Sequence, residues 1–222
     1  MGLNLTNHFS LTSSSVVSQI CDAPLSGVGI SYFNYIKVFN DGSRELLTNN
    51  AEWIDHFYKN ALYNTTAVID IEYMLPKGYF LWTELQTQDA AYLDGRQFYN
   101  IDHGITLVTR CEEYTELYIF ASTRDNEQIR SFYQKNIDLL QRFVLFFNDK
   151  GNDLLRKASK NKIYLPDRQV FSQQKNTLPD SNDIQKQEFL ASTNISRFFI
   201  NTNGGVYLTK REAECAAFAA NG

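Results

Sequence analysis

Between Ile30 and Phe39 the sequence is apolar on both faces of a strand. Ile30, Tyr32, Ile36 and Val38 recur on even numbers, while Phe33, Tyr35 and Phe39 fill odd ones. A strand with two apolar faces is covered on both sides, so its sheet needs one layer of elements above and another below. The neighbouring sequence supplies a pairing partner for it. Asn40-Asp41-Gly42 predicts a hairpin, with Asp-Gly tolerating the positive φ of a type I′ turn, and Arg44 to Leu47 is the returning strand.

The rest of the chain alternates helix and strand. Val16, Val17 and Ile20 mark one face of a short helix. Residues 49–63 read as a second helix, capped by Asn49 or Asn50, with Trp53, Phe57, Ala61 and Leu62 as its apolar stripe. Thr65 to Tyr73 is β-branched and reads as a strand, followed by a turn at Pro76-Lys77-Gly78 and a strand over Tyr79 to Leu85. Residues 86–98 look helical despite Gly95. Two strands follow, Ile105 to Cys111 and Thr115 to Ala121. Ile129, Tyr133, Ile137, Leu140, Val144 and Phe147 then predict one long helix over 125–150, capped by Asp125 or Asn126. This order implies an α+β fold, an α-β-α sandwich of the PAS-like kind around one antiparallel sheet. Residues 172–205 are largely polar and aperiodic and read as a linker, with an apolar stretch at 189–200 suited to docking.

Several function classes drop out. The net charge of −4 argues against holding nucleic acid by charge alone. The N-terminus lacks a basic and apolar leader, and apolar runs such as Phe143 to Phe147 are far too short to span a bilayer, so the chain reads as cytoplasmic with no membrane partner. Cys21, Cys111 and Cys215 read as reduced thiols, and His8, His56 and His103 are isolated, so no metal site is expected. Gly204-Gly205 lacks a phosphate-loop context and Ser13-Ser14-Ser15 lacks a nucleophile elbow, so neither a cofactor nor an enzyme is expected. What remains is an aromatic-rich chain, with 13 Tyr and 16 Phe, suited to a ring-lined core or cavity.

The C-terminal stretch narrows the reading. Thr209 and Glu212 have the spacing of a capping box, in which each satisfies a backbone N–H of the other. Leu208-Thr209-x-Arg211-Glu212-x-Glu214, closing at Gly222, resembles the first helix of a LuxR-type helix-turn-helix domain. Residues 50–150 resemble the autoinducer-binding domain of the same family. Ala51-Glu52-Trp53 with Phe57 and Tyr58 lies where that family has its Glu-Trp-x-x-x-Tyr helix, and Trp82 where it has a second pocket Trp. Tyr99 to Leu107 looks like its strand entry, and Ala121-Ser122 also matches.

The resemblance implies a sensor domain over 1–171, a linker over 172–205 and, over 206–222, the first helix of a truncated DNA-binding domain. It implies a transcriptional regulator of the quorum-sensing kind that binds a small-molecule signal. It also implies a homodimer, formed through helix 125–150 or segment 189–200 because such regulators read paired half-sites. DNA would be contacted only through the missing part of the helix-turn-helix domain. The ligand-binding residues on this reading are Trp53, Phe57, Tyr58, Thr66, Asp70, Tyr73, Trp82 and Phe98. One departure bears on the ligand. Family members that bind acyl-homoserine lactones carry Asp-Pro about thirteen residues after the helix Trp, and the Asp accepts the ligand amide. Here that place is Thr66-Ala67. Asp70 is four residues on, the same strand face but about 13 Å away. The ligand is therefore expected not to be a simple acyl-homoserine lactone. The alternative reading is a PAS-like sensor or protein-interaction module with no small ligand.

Overall fold

The computed structural model describes residues 2–64, 78–84, 89–165, 197–199, 207–209 and 212. The chain forms two units, Met1–Phe171 and Ser172–Gly222. The first is an α+β unit on one five-stranded antiparallel sheet of order β2-β1-β5-β4-β3. Its strands are β1 (Tyr32–Phe39), β2 (Arg44–Thr48), β3 (Tyr79–Leu81), β4 (Asp102–Arg110) and β5 (Tyr114–Ser122). Its helices are α1 (Phe9–Thr12), α2 (Ser14–Ser26), α3 (Ala51–Lys59), α4 (Ala90–Phe98), α5 (Ile129–Lys135), α6 (Ile137–Lys150) and α7 (Asn152–Ala158).

Strand β1 separates two cores, as its two apolar faces require. Phe33 and Tyr35 point into one, with Leu47, Ile105, Leu107, Tyr118 and Phe120 of the sheet and residues of α2, α5, α6 and α7. Tyr32 points into the other, with Leu46, Leu117, Ile119 and Ala121 of the sheet and Trp53, Ile54, Tyr58 and Ala91 of α3 and α4. The first core is ring-packed: Phe33 is fully buried, with ring centroids of Phe120, Phe143 and Phe147 at 5.3, 5.2 and 4.6 Å. The second core contains the cavity described below.

Local chemistry explains the boundaries. Asn50 caps α3, its side chain accepting the Trp53 N–H at 3.0 Å. Asn49 instead pins β1, accepting the Phe33 N–H at 2.8 Å and donating to the Ser31 carbonyl at 3.1 Å. The β1–β2 turn is not type I′, which needs positive φ at both central residues. Of Asn40, Asp41 and Gly42, only Gly42 has a positive φ, 82°, so the loop is the three-residue kind closed by a left-handed glycine.

The helix expected over 125–150 is two helices. Asn136, at φ −136° and ψ 43°, separates α5 from α6, and its side-chain amide donates to the Phe132 carbonyl at 2.8 Å. An Asn that competes for backbone acceptors interrupts a helix that apolar periodicity alone would continue. Neither Asp125 nor Asn126 caps α5; Asn126 donates to Ser122 Oγ at 3.0 Å and to the Gly29 carbonyl at 3.3 Å. The strand expected over Thr65 to Tyr73 lies outside the described residues.

In the second unit, β6 (Arg197–Phe199) pairs antiparallel with β7 (Tyr207–Thr209). Strand β6 thus lies in the stretch read as linker. The capping box forms: the Thr209 N–H donates to Glu212 Oε2 at 2.8 Å and the Glu212 N–H to Thr209 Oγ1 at 3.4 Å. The helix expected beyond Glu212 lies outside the described residues.

The Phe33 contacts set the stability of this sheet face. Phe33→Ala is expected to cost about 3–5 kcal/mol, the range for removing a buried Phe side chain. Urea unfolding followed by circular dichroism measures it, and a loss under about 1 kcal/mol would mean that the ring cluster does not carry the core.

Candidate functional site

The site is a cavity of about 80 Å³ between the sheet and helices α3 and α4. Even-numbered residues of β1 and β2 form its floor: Tyr32, Asn34, Ile36, Arg44 and Leu46, with Ile119 of β5 beside them. Its roof is Trp53, Ile54, Phe57 and Tyr58 of α3 with Asp89 and the first half of α4, and Trp82 and Ile101 also contribute. The strand period of two and the helix period of 3.6 bring these residues to one space from distant parts of the sequence.

Both tryptophans are seated by glycines. The Trp53 ring lies against Gly95 of α4, where an added Cβ would meet it at 3.5 Å. A Cβ on Gly104 would collide with the Trp82 indole. Strand β4 shifts register between Asp102 and Ile105, and His103 takes a φ of +50° there. This bulge stands next to the glycine, as bulges do where a strand re-aims its side chains. The Trp82 indole N–H donates to Thr106 Oγ1 at 3.1 Å. Gly104 and Thr106, which belong to the sequence motif at Tyr99 to Leu107, thus act as the seat of Trp82.

The polar groups of the floor are unevenly satisfied. The Tyr32 phenol is pushed well up by burial, against hydrogen bonds with Trp53, Thr48 and Asn34 that favour its ionised form. Burial also raises the Tyr58 phenol, opposed by the charge and hydrogen bond of Arg44. Asn34 Oδ1 and Arg44 Nε are buried without a hydrogen-bond partner. Asp89 accepts the N–H groups of Ala91 at 2.8 Å and Tyr92 at 3.3 Å, capping α4 beside the cavity.

Of the residues expected to bind a ligand, Trp53, Phe57, Tyr58 and Trp82 come together on the cavity. Phe98 is not among the lining residues; at the end of α4 it is 63% exposed, its ring 6.4 Å from that of His56. Thr66, Asp70 and Tyr73 lie outside the described residues. Sequence reasoning missed Tyr32, Asn34, Arg44, Asp89 and Tyr92. The signal for Asn34 was present, as a polar residue on a strand with two apolar faces. Arg44 follows a polar turn and gave no such signal.

Behind the cavity, Asp102 ties α4 to β4. It accepts the Tyr92 phenol at 2.7 Å, Arg96 Nε at 2.7 Å and the His103 N–H at 2.6 Å. Burial pushes its carboxyl up, but the Tyr92 and His103 bonds and the His103 and Arg96 charges outweigh it and hold the carboxyl below its ordinary 3.8.

No protein-family model matches the chain, and no curated protein matches it. Among solved structures, the chain is similar to Escherichia coli SdiA at 13% identity and a TM-score of 0.49, over 93% of this chain and 77% of that one. It is also similar to SdiA in complex with octanoyl-rac-glycerol, at 13% identity and a TM-score of 0.45, over 94% and 75%. A third is CepR2 from Burkholderia cenocepacia, an N-acylhomoserine-lactone-dependent LuxR-family transcription factor, at 14% identity and a TM-score of 0.44, over 68% and 92%.

The Asp102 cluster gives the stability of the fold a pH dependence. A carboxyl held low stabilises the fold above its unfolded pKa, and that stability is lost as pH falls through the folded value. Asp102→Asn is expected to cost about 1–3 kcal/mol at pH 7, for bonds removed from buried partners. The gap to the unsubstituted protein should narrow on acidification below about 3.8. Urea unfolding over a pH series measures it; a gap independent of pH would contradict the assignment.

Proposed function

We propose that the chain is a ligand-responsive transcriptional regulator of the LuxR type. Its sensor half binds a small signal molecule in the cavity under α3 and α4 and controls a DNA-binding domain whose first helix begins at Thr209. The observation that carries the reading is the convergence of Trp53, Phe57, Tyr58 and Trp82 on one cavity, each from a sequence motif of the LuxR sensor. The formed Thr209–Glu212 capping box supports a helix start where the second motif needs one. Leu139, Leu145 and Phe146 leave apolar area exposed on α6, which supports a homodimer through that helix.

The mechanism is a population shift. A ligand that binds one arrangement of the two halves more tightly moves the equilibrium toward it, and by no more than that difference in affinity. No chemistry on the ligand is involved. Simple acyl-homoserine lactones are not the signal on this reading, because Thr66 stands where an ionised acceptor for the ligand amide belongs, and hydrogen bonds to charged groups are worth roughly 1.5–3 kcal/mol.

Native mass spectrometry of the purified chain tests this, run alone, after exposure to a small-molecule cell extract, and with lactones of several chain lengths. The expected result is one bound small molecule per protomer from cells or extract, and no lactone complex at low micromolar concentration. A chain that stays ligand-free in every arm would contradict the sensor reading and favour an interaction module. Tight lactone complexes would contradict the ligand assignment alone.

A further inference from the structure

Arg44 is buried where a solvated residue would be expected. It stands first in β2, directly after a polar turn, yet is 2% exposed. Its backbone is fixed from both sides, paired with Val38 in β1 and bridged to Ile163 by two bonds of 2.9 and 2.8 Å. Strand alternation puts its side chain on the face of Leu46, on the cavity. A guanidinium remains charged in a protein, and a buried charge without a counter-charge is costly. Among the described residues no carboxylate forms an ion pair with Arg44. The Tyr58 phenol bonds to it but stays protonated at neutral pH and brings no charge. Nε has no acceptor.

A second observation points the same way. Asn34, 3% exposed, lines the same floor, and its Oδ1 has no donor. The lining thus carries two polar groups with an unsatisfied atom, Arg44 at Nε and Asn34 at Oδ1, beside the carboxylate of Asp89 and a majority of rings and aliphatic side chains. Asn34 lies four residues along β1 from Val38, the partner of Arg44. At the strand rise their backbones are about 13 Å apart along the strand.

We propose that the cavity takes an organic carboxylate with an apolar body, its carboxylate seated on Arg44 and a hydroxyl or N–H further along its chain donating to Asn34. The inference rests on the reading of this cavity as the ligand site and names the class of ligand. A guanidinium matches a carboxylate with two parallel N–H donors. The Arg44 guanidinium offsets a monoanion, whereas a phosphate-monoester dianion would bring a further negative charge into a lining that already carries Asp89.

The experiment uses the fluorescence of the intact chain, whose two tryptophans, Trp53 and Trp82, both line the cavity. The probes are decanoate, methyl decanoate and decyl phosphate, each held below its aggregation threshold. The expected result is decanoate binding at least tenfold more tightly than its methyl ester. Arg44→Met should bring that ratio close to one, and Arg44→Lys should leave it in between. Ligand-free Arg44→Met should also melt no lower than the unsubstituted chain, because a similar-sized apolar side chain replaces an uncompensated buried charge. If Arg44→Met fails to fold, the unsubstituted chain and Arg44→Lys decide the ratio. Equal binding of acid and ester would overturn the proposal while leaving the cavity as a ligand site. Binding of neither, a decanoate preference that survives Arg44→Met, or tighter binding of decyl phosphate would overturn the carboxylate class. Native mass spectrometry with cell extract reports separately on whether the cavity is a ligand site.

Discussion

Strand β1 is buried on both faces over residues 32–35, and the first unit is arranged around that constraint. Each side of the strand must be covered by its own helical layer, and the two coverings differ in kind. Phe33 and Tyr35 meet α6 in a ring-packed core, and the Tyr35 phenol is satisfied by donating to Glu116 at 2.9 Å. Tyr32, Asn34 and Ile36 meet α3 and α4 across a space that is not filled. A polar residue on a buried strand face is a liability in a solid core and an asset in a binding cavity. Asn34 therefore marks which face of the sheet is which.

The cavity is small. Drug-sized ligand sites run to roughly 300–1,000 Å³, against about 80 Å³ here. Its walls, however, are built for a ring-lined site rather than left over from loose packing. Trp82 lies on Gly104 beside a bulge in β4 and bonds to Thr106; Trp53 lies on Gly95. A glycine inside a helix costs about 1 kcal/mol relative to alanine, and a bulge interrupts a ladder. Both features work against local regularity and both put an indole on the cavity. The Asp102 cluster holds α4 over them.

Much of the element order was legible because periodicity reports burial directly. The two faces of β1, the stripe of α3 and the β4–β5 pair follow from it. What periodicity hides is side-chain competition for the backbone. Asn136 breaks the expected long helix by bonding to Phe132, and the apolar repeat runs through it unchanged. The site was legible where a residue type is rare and its motif specific, as for Trp53 and Trp82. It was not legible at Phe98, whose apolar character says nothing of its position at an exposed helix end. Nor was it legible at Arg44, since the sequence gives no sign that Ile163 bridges to its backbone and that the cavity closes over its side chain.

The central claim is that the space under α3 and α4 exists to be filled by a small molecule. Hydrogen–deuterium exchange of the intact chain, with and without a small-molecule extract of the cells that make it, tests this most directly. A ligand seated there should slow exchange in residues 51–59 and 90–98, which cover the cavity, and leave the outward face of α6 unchanged. Protection confined to α6, or none at all, would contradict the account.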